Sequence, residues 1–104
     1  MPITSIVDTS GDQVTIKVSG RFDFSSHQDF IQAYKQHPKG EKRFIVDLSG
    51  AEYMDSSAMG MLLQLREYSS KRPDSVILSN GNEAVQEILR IANFGKLFNI
   101  TQFI

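Results

Sequence analysis

Hydrophobic positions along the chain switch repeatedly between a period of two and a period of about 3.6, the repeats of a strand and of a helix. Ile3 to Val7 is a short apolar-rich run closed by Asp8, Thr9, Ser10, Gly11 and Asp12. Val14, Ile16 and Val18 then alternate with Thr15, Lys17 and Ser19, which predicts a strand with one buried face. The Ser10-Gly11-Asp12 punctuation predicts a hairpin between these two strands. Gly20-Arg21-Phe22-Asp23 breaks the second strand, and Ser25 or Ser26 can cap a helix running to about His37, where Pro38 and Gly40 stop it. Phe44-Ile45-Val46-Asp47-Leu48 is a nearly continuous apolar run and is read as a central strand buried on both faces.

A loop is expected next, from Ser49 to Ser56, and a helix from Ser57 to about Lys71, ended by Arg72-Pro73-Asp74. Ser75 to Ser79 gives another buried strand and Asn80-Gly81-Asn82 a turn. Between Glu83 and Asn93, Ala84, Val85, Ile88, Leu89 and Ala92 recur at helical spacing, with Gly95 just beyond the end. Ile100 to Phe103 is expected as an edge strand. The order β-β-α-β-α-β-α-β predicts an α/β fold, with helices packed on a mixed, mostly parallel sheet of about five strands joined by right-handed crossovers.

Composition narrows the function. At 104 residues the chain is expected to be one domain, residues 1–104, without repeats or linkers. Its formal charge of −1 argues against nucleic-acid binding, and Glu41 interrupts the cluster Lys39, Lys42 and Arg43, which is read as a solvated turn. The absence of cysteine removes disulfides, thiolate catalysis and cysteine metal sites. No signal segment opens the chain and no apolar run approaches the roughly 18 residues of a membrane span, so a cytoplasmic location without membrane insertion is expected.

Catalysis lacks parts. His27 and His37 are the only histidines and both fall on the first helix; no Gly-x-Ser-x-Gly elbow, P-loop or dinucleotide glycine motif is present. Asp23, Asp47 and Asp55 could be imagined as a metal cluster, but Asp47 is better placed in a strand. A non-enzyme without cofactor or metal is expected.

The informative segment is Ser49-Gly50-Ala51-Glu52-Tyr53-Met54-Asp55-Ser56-Ser57-Ala58-Met59-Gly60, at the carboxyl end of a parallel strand, where functional loops of α/β sheets gather. It delivers adjacent hydroxyls to a helix start. Helix capping by Asp55 or Ser56 is the plain explanation. On the helix that follows, Ala58, Met61, Leu62, Leu65 and Ser69 fit the side packed on the sheet. Met59, Leu63 and Glu67 lie on another side, so Met59 and Leu63 either widen the core stripe or form a small docking patch.

Val46-Asp47-Leu48-Ser49, Tyr53 to Gly60 and Leu62-Leu63 together resemble the signature of the STAS family, which includes the anti-sigma factor antagonists of bacteria. Gly20-Arg21-Phe22-Asp23 resembles its second marker and Ile91-Ala92-Asn93-Phe94-Gly95-Lys96-Leu97-Phe98 its third. The resemblance implies a STAS-like fold. It also implies a phospho-switch in which Ser56 is phosphorylated by a kinase that is also an anti-sigma factor, and is restored by a serine phosphatase. Ser57 would be a cap or a secondary phosphate acceptor, and Asp23 and Asp55 would flank the site. Ala58 and Met59 stand where the family commonly has glycine and leucine, and the chain stops at Ile104, so contacts of the further helix carried by many members are not expected. A free monomer is the default. Two alternatives stay open: a non-phosphorylated STAS accessory subunit of a membrane transporter or signalling scaffold, and a sensor of a nucleotide or other anion at the helix N-terminus.

Overall fold

The computed structural model describes residues 3–8, 11–69 and 75–101. Five strands form one sheet in the order β1-β2-β3-β4-β5: β1 Ile3–Val7, β2 Gln13–Phe22, β3 Arg43–Met54, β4 Val76–Ser79 and β5 Asn99–Thr101. Only β1 and β2 pair antiparallel; the other three pairings are parallel. The three crossovers carry α1 His27–Lys35, α2 Ser56–Tyr68 and α3 Glu83–Ile91. Because strand order follows chain order, right-handed crossovers place all three helices on the same face of the sheet.

Burial alternates accordingly. Val14, Ile16 and Val18 of β2 are buried in register with Phe44 and Val46 of β3 and onward with Val76 and Leu78 of β4. Thr15, Ile45, Asp47 and Ile77, on the opposite face, are only half-buried. The expectation that the Phe44 to Leu48 strand is buried on both faces is therefore corrected: an apolar Ile45 on a half-open face imitates the run of a doubly covered strand. Each fully buried core side chain contributes about 1.5–3 kcal/mol.

The largest departure from the sequence reading is the length of β2 and β3. Ser49 to Met54, expected as loop, continue β3, and Gly20 to Phe22, expected as a break, continue β2 against it. Register shifts between Lys17 and Ser19 and between Gly20 and Arg21 absorb the irregularity. Gly20 takes φ +75, the left-handed conformation that such bulges require of glycine. At Gly50 the strands approach so closely that a Cβ would stand 3.0 Å from that of Ser19 and 3.1 Å from the Val18 carbonyl oxygen. The result is a long two-stranded arm that carries the start of α2 to the end of β2.

An aromatic chain ties α1 and α2 to this arm. Phe22 meets Phe30 at 5.1 Å between ring centroids, Phe30 meets Tyr34 at 5.9 Å, and Tyr34 meets Phe44 at 6.3 Å and Tyr68 at 5.0 Å. The Tyr68 hydroxyl donates to the His37 carbonyl at 2.6 Å, which ends α1 against α2. In α2, Ala58, Met61, Leu62 and Leu65 are buried, as the periodicity predicts, and so is Ser69 just beyond its end. In α3 the buried stripe is narrower than expected, Val85 and Leu89, with Ala84 exposed. Asn93, not Gly95, adopts the left-handed conformation after α3, at φ 60. The second helix, expected to run to about Lys71, ends at Tyr68, where Ser69 is already extended (ψ 178); Arg72 to Asp74 and the last residues of the final strand lie outside the described residues.

Candidate functional site

The site begins with the last cross-strand contact of the arm. Phe22 pairs with Met54, and the Asp55 backbone N–H donates to the Phe22 carbonyl at 3.3 Å. Asp23 and Asp55 are therefore the first residues beyond two adjacent strand ends, and each opens a helical segment. Asp55 is extended (φ −115, ψ −173) and its carboxylate accepts from the Ala58 N–H at 3.0 Å, the hydrogen bond of an N-cap. Ser56 and Ser57 thus become the first two residues of α2, one residue earlier than the sequence reading placed the helix start. Since Asp55 performs the capping, neither serine is needed for it. Ser57 is half-buried and Ser56 is exposed. Among the described residues, no hydrogen bond engages the Ser56 hydroxyl. The plain structural explanation of that serine is thereby removed.

Asp23 is arranged differently. It caps a 3₁₀ turn, Phe24–Ser26, that leads into α1. One of its oxygens accepts from the Ser25 N–H at 3.0 Å and from the Ser25 hydroxyl at 2.5 Å; the other accepts from Arg21 Nε at 3.3 Å. The Ser25 hydroxyl, helped by its N–H and by Arg21 and partly opposed by burial, holds the Asp23 carboxyl below its usual range. Of the two caps expected, Ser26 takes the N-cap position of α1 but makes no side-chain cap bond: its hydroxyl donates inward to the Arg21 carbonyl at 3.1 Å, and Asp23 caps the preceding 3₁₀ turn.

Two exposed aromatic rings frame the site, and sequence reasoning did not select either. Phe24 is 72% exposed and stacked on His27 at 5.6 Å. Tyr53, 40% exposed, lies beneath the Arg21 guanidinium, 4.5 Å from its carbon to the ring centroid. Nothing in the periodicity singled out Phe24: alternation alone would send it to the same face as Phe22, and it turns outward because β2 ends at Phe22 and Phe24 opens the 3₁₀ turn. On α2, Met59 is half-buried against the core and Leu63 is 39% exposed. Of the two roles open to this pair, widening the core falls mainly to Met59.

Other candidates separate. Asp47 lies inside β3, opposite Lys17 and Ser79, and its carboxylate accepts from the Ser49 N–H. No group of three or more acidic or histidine side chains suited to a metal occurs among the described residues. His37 stands beyond the carboxyl end of α1 beside Phe44, with burial as the first cause of a lowered pKa, followed by Lys42. An open groove of about 630 Å³ is lined by α3, the turn after it and β5, including Glu83, Arg90, Lys96 and Ile100, and by no residue of α2. None of the described helices is long and apolar enough to cross a membrane.

Comparison with known proteins agrees with this fold. The family model described as "Mlab, STAS domain" matches residues 5–101. A STAS-domain containing protein of Pseudomonas aeruginosa (strain UCBPP-PA14) is 44% identical over 101 residues, spanning 97% of this chain and all of the relative. Among solved structures, a candidate anti-sigma factor antagonist from Thermotoga maritima superposes with a TM-score of 0.78 at 18% identity, covering 98% of this chain and 87% of the other. The anti-sigma factor antagonist SpoIIAA in its unphosphorylated form gives a TM-score of 0.62, also at 18% identity and with the same 98% and 87% coverage. The mixed, mostly parallel sheet with its three helices is the fold shared with these structures, and this chain is a member of the STAS-domain family.

Proposed function

We propose that residues 1–104 act as one regulatory domain of the anti-sigma-factor-antagonist type, binding a protein partner in a manner switched by reversible phosphorylation of Ser56. The observation that carries this reading is the division of labour at the start of α2: Asp55 caps the helix, which leaves an exposed serine hydroxyl with no structural duty. The first turn of a helix tolerates a phosphate, because its free N–H groups and dipole favour negative charge. The domain would stay folded while its surface changes.

That surface suits a switch. Phe24, Tyr53 and Leu63 are exposed apolar side chains around the strand ends and the ridge of α2 that starts at Ser56. Such residues make the anchors of protein interfaces, whereas the flanking Asp23 and Asp55 supply an acidic rim. Phosphorylation adds about −1.5 to −2 charge at pH 7 beside these carboxylates. A partner packed on the patch then meets repulsion and a desolvation cost, and dissociates. The partner is an anti-sigma factor acting as serine kinase, and a serine phosphatase restores the binding form. Both are separate proteins. The domain itself is a cytoplasmic, monomeric, non-catalytic element without cofactor.

Site-localised mass spectrometry of the protein from its native cells under two growth conditions tests the reading. A condition-dependent phosphate on Ser56 is the expected result. Complete absence of phosphate under conditions that alter partner binding would sink the switch and favour a constitutive accessory subunit.

A further inference from the structure

We infer that Arg21 is the internal counter-ion of phosphorylated Ser56, leaving Asp23 and the Tyr53 ring to grip the phosphate. The inference rests on the reading that Ser56 carries phosphate and adds to it which residue receives the charge. Arg21 faces Tyr53 across the β2–β3 ladder, one pair before Phe22 and Met54, and Asp55 is bonded to the Phe22 carbonyl. Ser56 is the next residue. The Arg21 side chain is 66% exposed and held by two weak contacts, a single Nε hydrogen bond to Asp23 at 3.3 Å and the face of Tyr53 at 4.5 Å.

Elimination strengthens the assignment. Lys35, Lys39, Lys42 and Arg43 cluster where α1 ends and β3 begins, at the opposite end of the parallel strands from Ser56. Lys17 lies opposite Asp47, farther back along β2. Arg66, in the last turn of α2, donates to the Leu97 carbonyl. Arg90 pairs with Glu87, and Lys96 lines the groove beside α3. Among the described residues, Arg21 is the cation at the carboxyl ends of β2 and β3. The titratable groups in contact with it are Asp23 and Tyr53; Asp55 follows Met54 at the neighbouring strand end, Glu52 precedes Tyr53 in β3, and His27 opens α1. A phosphate set beside the strand-end carboxylates Asp23 and Asp55 is favoured as a dianion by a neighbouring cation, and the guanidinium fork binds a phosphate more strongly than it binds one carboxylate oxygen.

The exchange has a structural consequence. As Arg21 moves, Asp23 loses a neutralising partner while keeping Ser25, and the Tyr53 ring is uncovered. Phosphorylation therefore remodels the surface on both sides of Ser56 in addition to charging it.

The test installs phosphoserine at position 56 during translation, so that no kinase is needed, and follows the phosphate by ³¹P NMR as a function of pH. The second phosphate pKa is expected to lie about half a unit or more lower in the wild-type background than with Arg21→Gln, with Arg21→Lys between them. Coincident titrations of wild type and Arg21→Gln overturn the inference. Should Arg21→Gln fail to fold, as judged by circular dichroism, the Arg21 Nε–Hε resonance of the wild-type background decides. It is expected to shift between the serine and phosphoserine forms, and an unmoved resonance overturns the inference. A native protein without phosphate on Ser56 would remove the proposed switch and leave this measurement unchanged; an inert Arg21 would remove only the counter-ion.

Discussion

Two helical segments in this molecule are entered by nearly the same words: a strand ends, an aspartate follows, and two serines come within three residues. At Asp55-Ser56-Ser57 the carboxylate reaches forward to the Ala58 N–H and α2 starts at once. At Asp23-Phe24-Ser25-Ser26 it reaches only to Ser25, binding both its N–H and its hydroxyl, and a 3₁₀ turn intervenes before α1. The inserted Phe24 makes the difference. It lengthens the entrance by one residue and is pushed out to 72% exposure, while Phe22 takes the core position. One entrance thus spends its serine on local structure and displays an aromatic ring; the other displays its serine. The same capping chemistry leaves an exposed ring in one case and an exposed hydroxyl in the other.

The strongest way to break this comparison is to remove what both entrances share. Phe22 is fully buried, packs on Phe30 of α1 and lends its carbonyl to Asp55. Phe22→Ala is expected to lower the unfolding free energy by about 3–5 kcal/mol, measured by urea denaturation, and to loosen both helix starts. A loss below 1 kcal/mol, on the order of a surface substitution, would mean the two entrances are independent.

Next in size is the functional contrast. Ser56→Asp is expected to weaken partner binding by about tenfold or more, whereas Ser25→Asp should change it by less than about threefold, both by calorimetric titration. Equal effects at the two serines would erase the distinction drawn between them.

The caps themselves differ less. Asp55→Ala should cost about 1 kcal/mol of stability, with Asp55→Ser recovering most of it, because the lost bond is the N-cap of a thirteen-residue helix. Hydrogen exchange should rise first at Ser57 and Ala58; protection unchanged there would contradict Asp55 as the cap.

The smallest effect is a dependence on pH. The lowered Asp23 pKa, caused first by the Ser25 hydroxyl, contributes stability that is present above the ordinary aspartate value of 3.8 and is lost as pH falls through the lower folded-state value. The stability gap between wild type and Asp23→Asn should therefore narrow on acidification below that value, read from denaturation midpoints at several pH values. Exposure keeps the effect small. A gap that widens in acid would reverse the sign of the argument.

Much of this was legible in the chain. Alternation at Val14, Ile16 and Val18 located β2, and the stripe Ala58, Met61, Leu62 and Leu65 located the buried side of α2. Ser49 to Met54 were not legible as strand, because Gly50, Glu52 and Tyr53 lack a clean alternation and the pairing that holds them is supplied by β2 through two register shifts. Asp55 and Ser56 were equal candidates for the cap in the sequence, since either residue type can accept the bond; the extended backbone of Asp55 chose between them. Phe24 and Tyr53 stood out only once Phe22 and Met54 had taken the inward positions.

The sequence by itself determined the order of elements, the mostly parallel sheet and the segment where a serine meets a helix start, because these depend on local periodicity and on residue chemistry read over short spans. The tertiary structure decided what surrounds that serine: which aspartate caps and which rings stay outside. Those outcomes depend on the register of β2 against β3, where a shift of one residue sends every side chain to the other face.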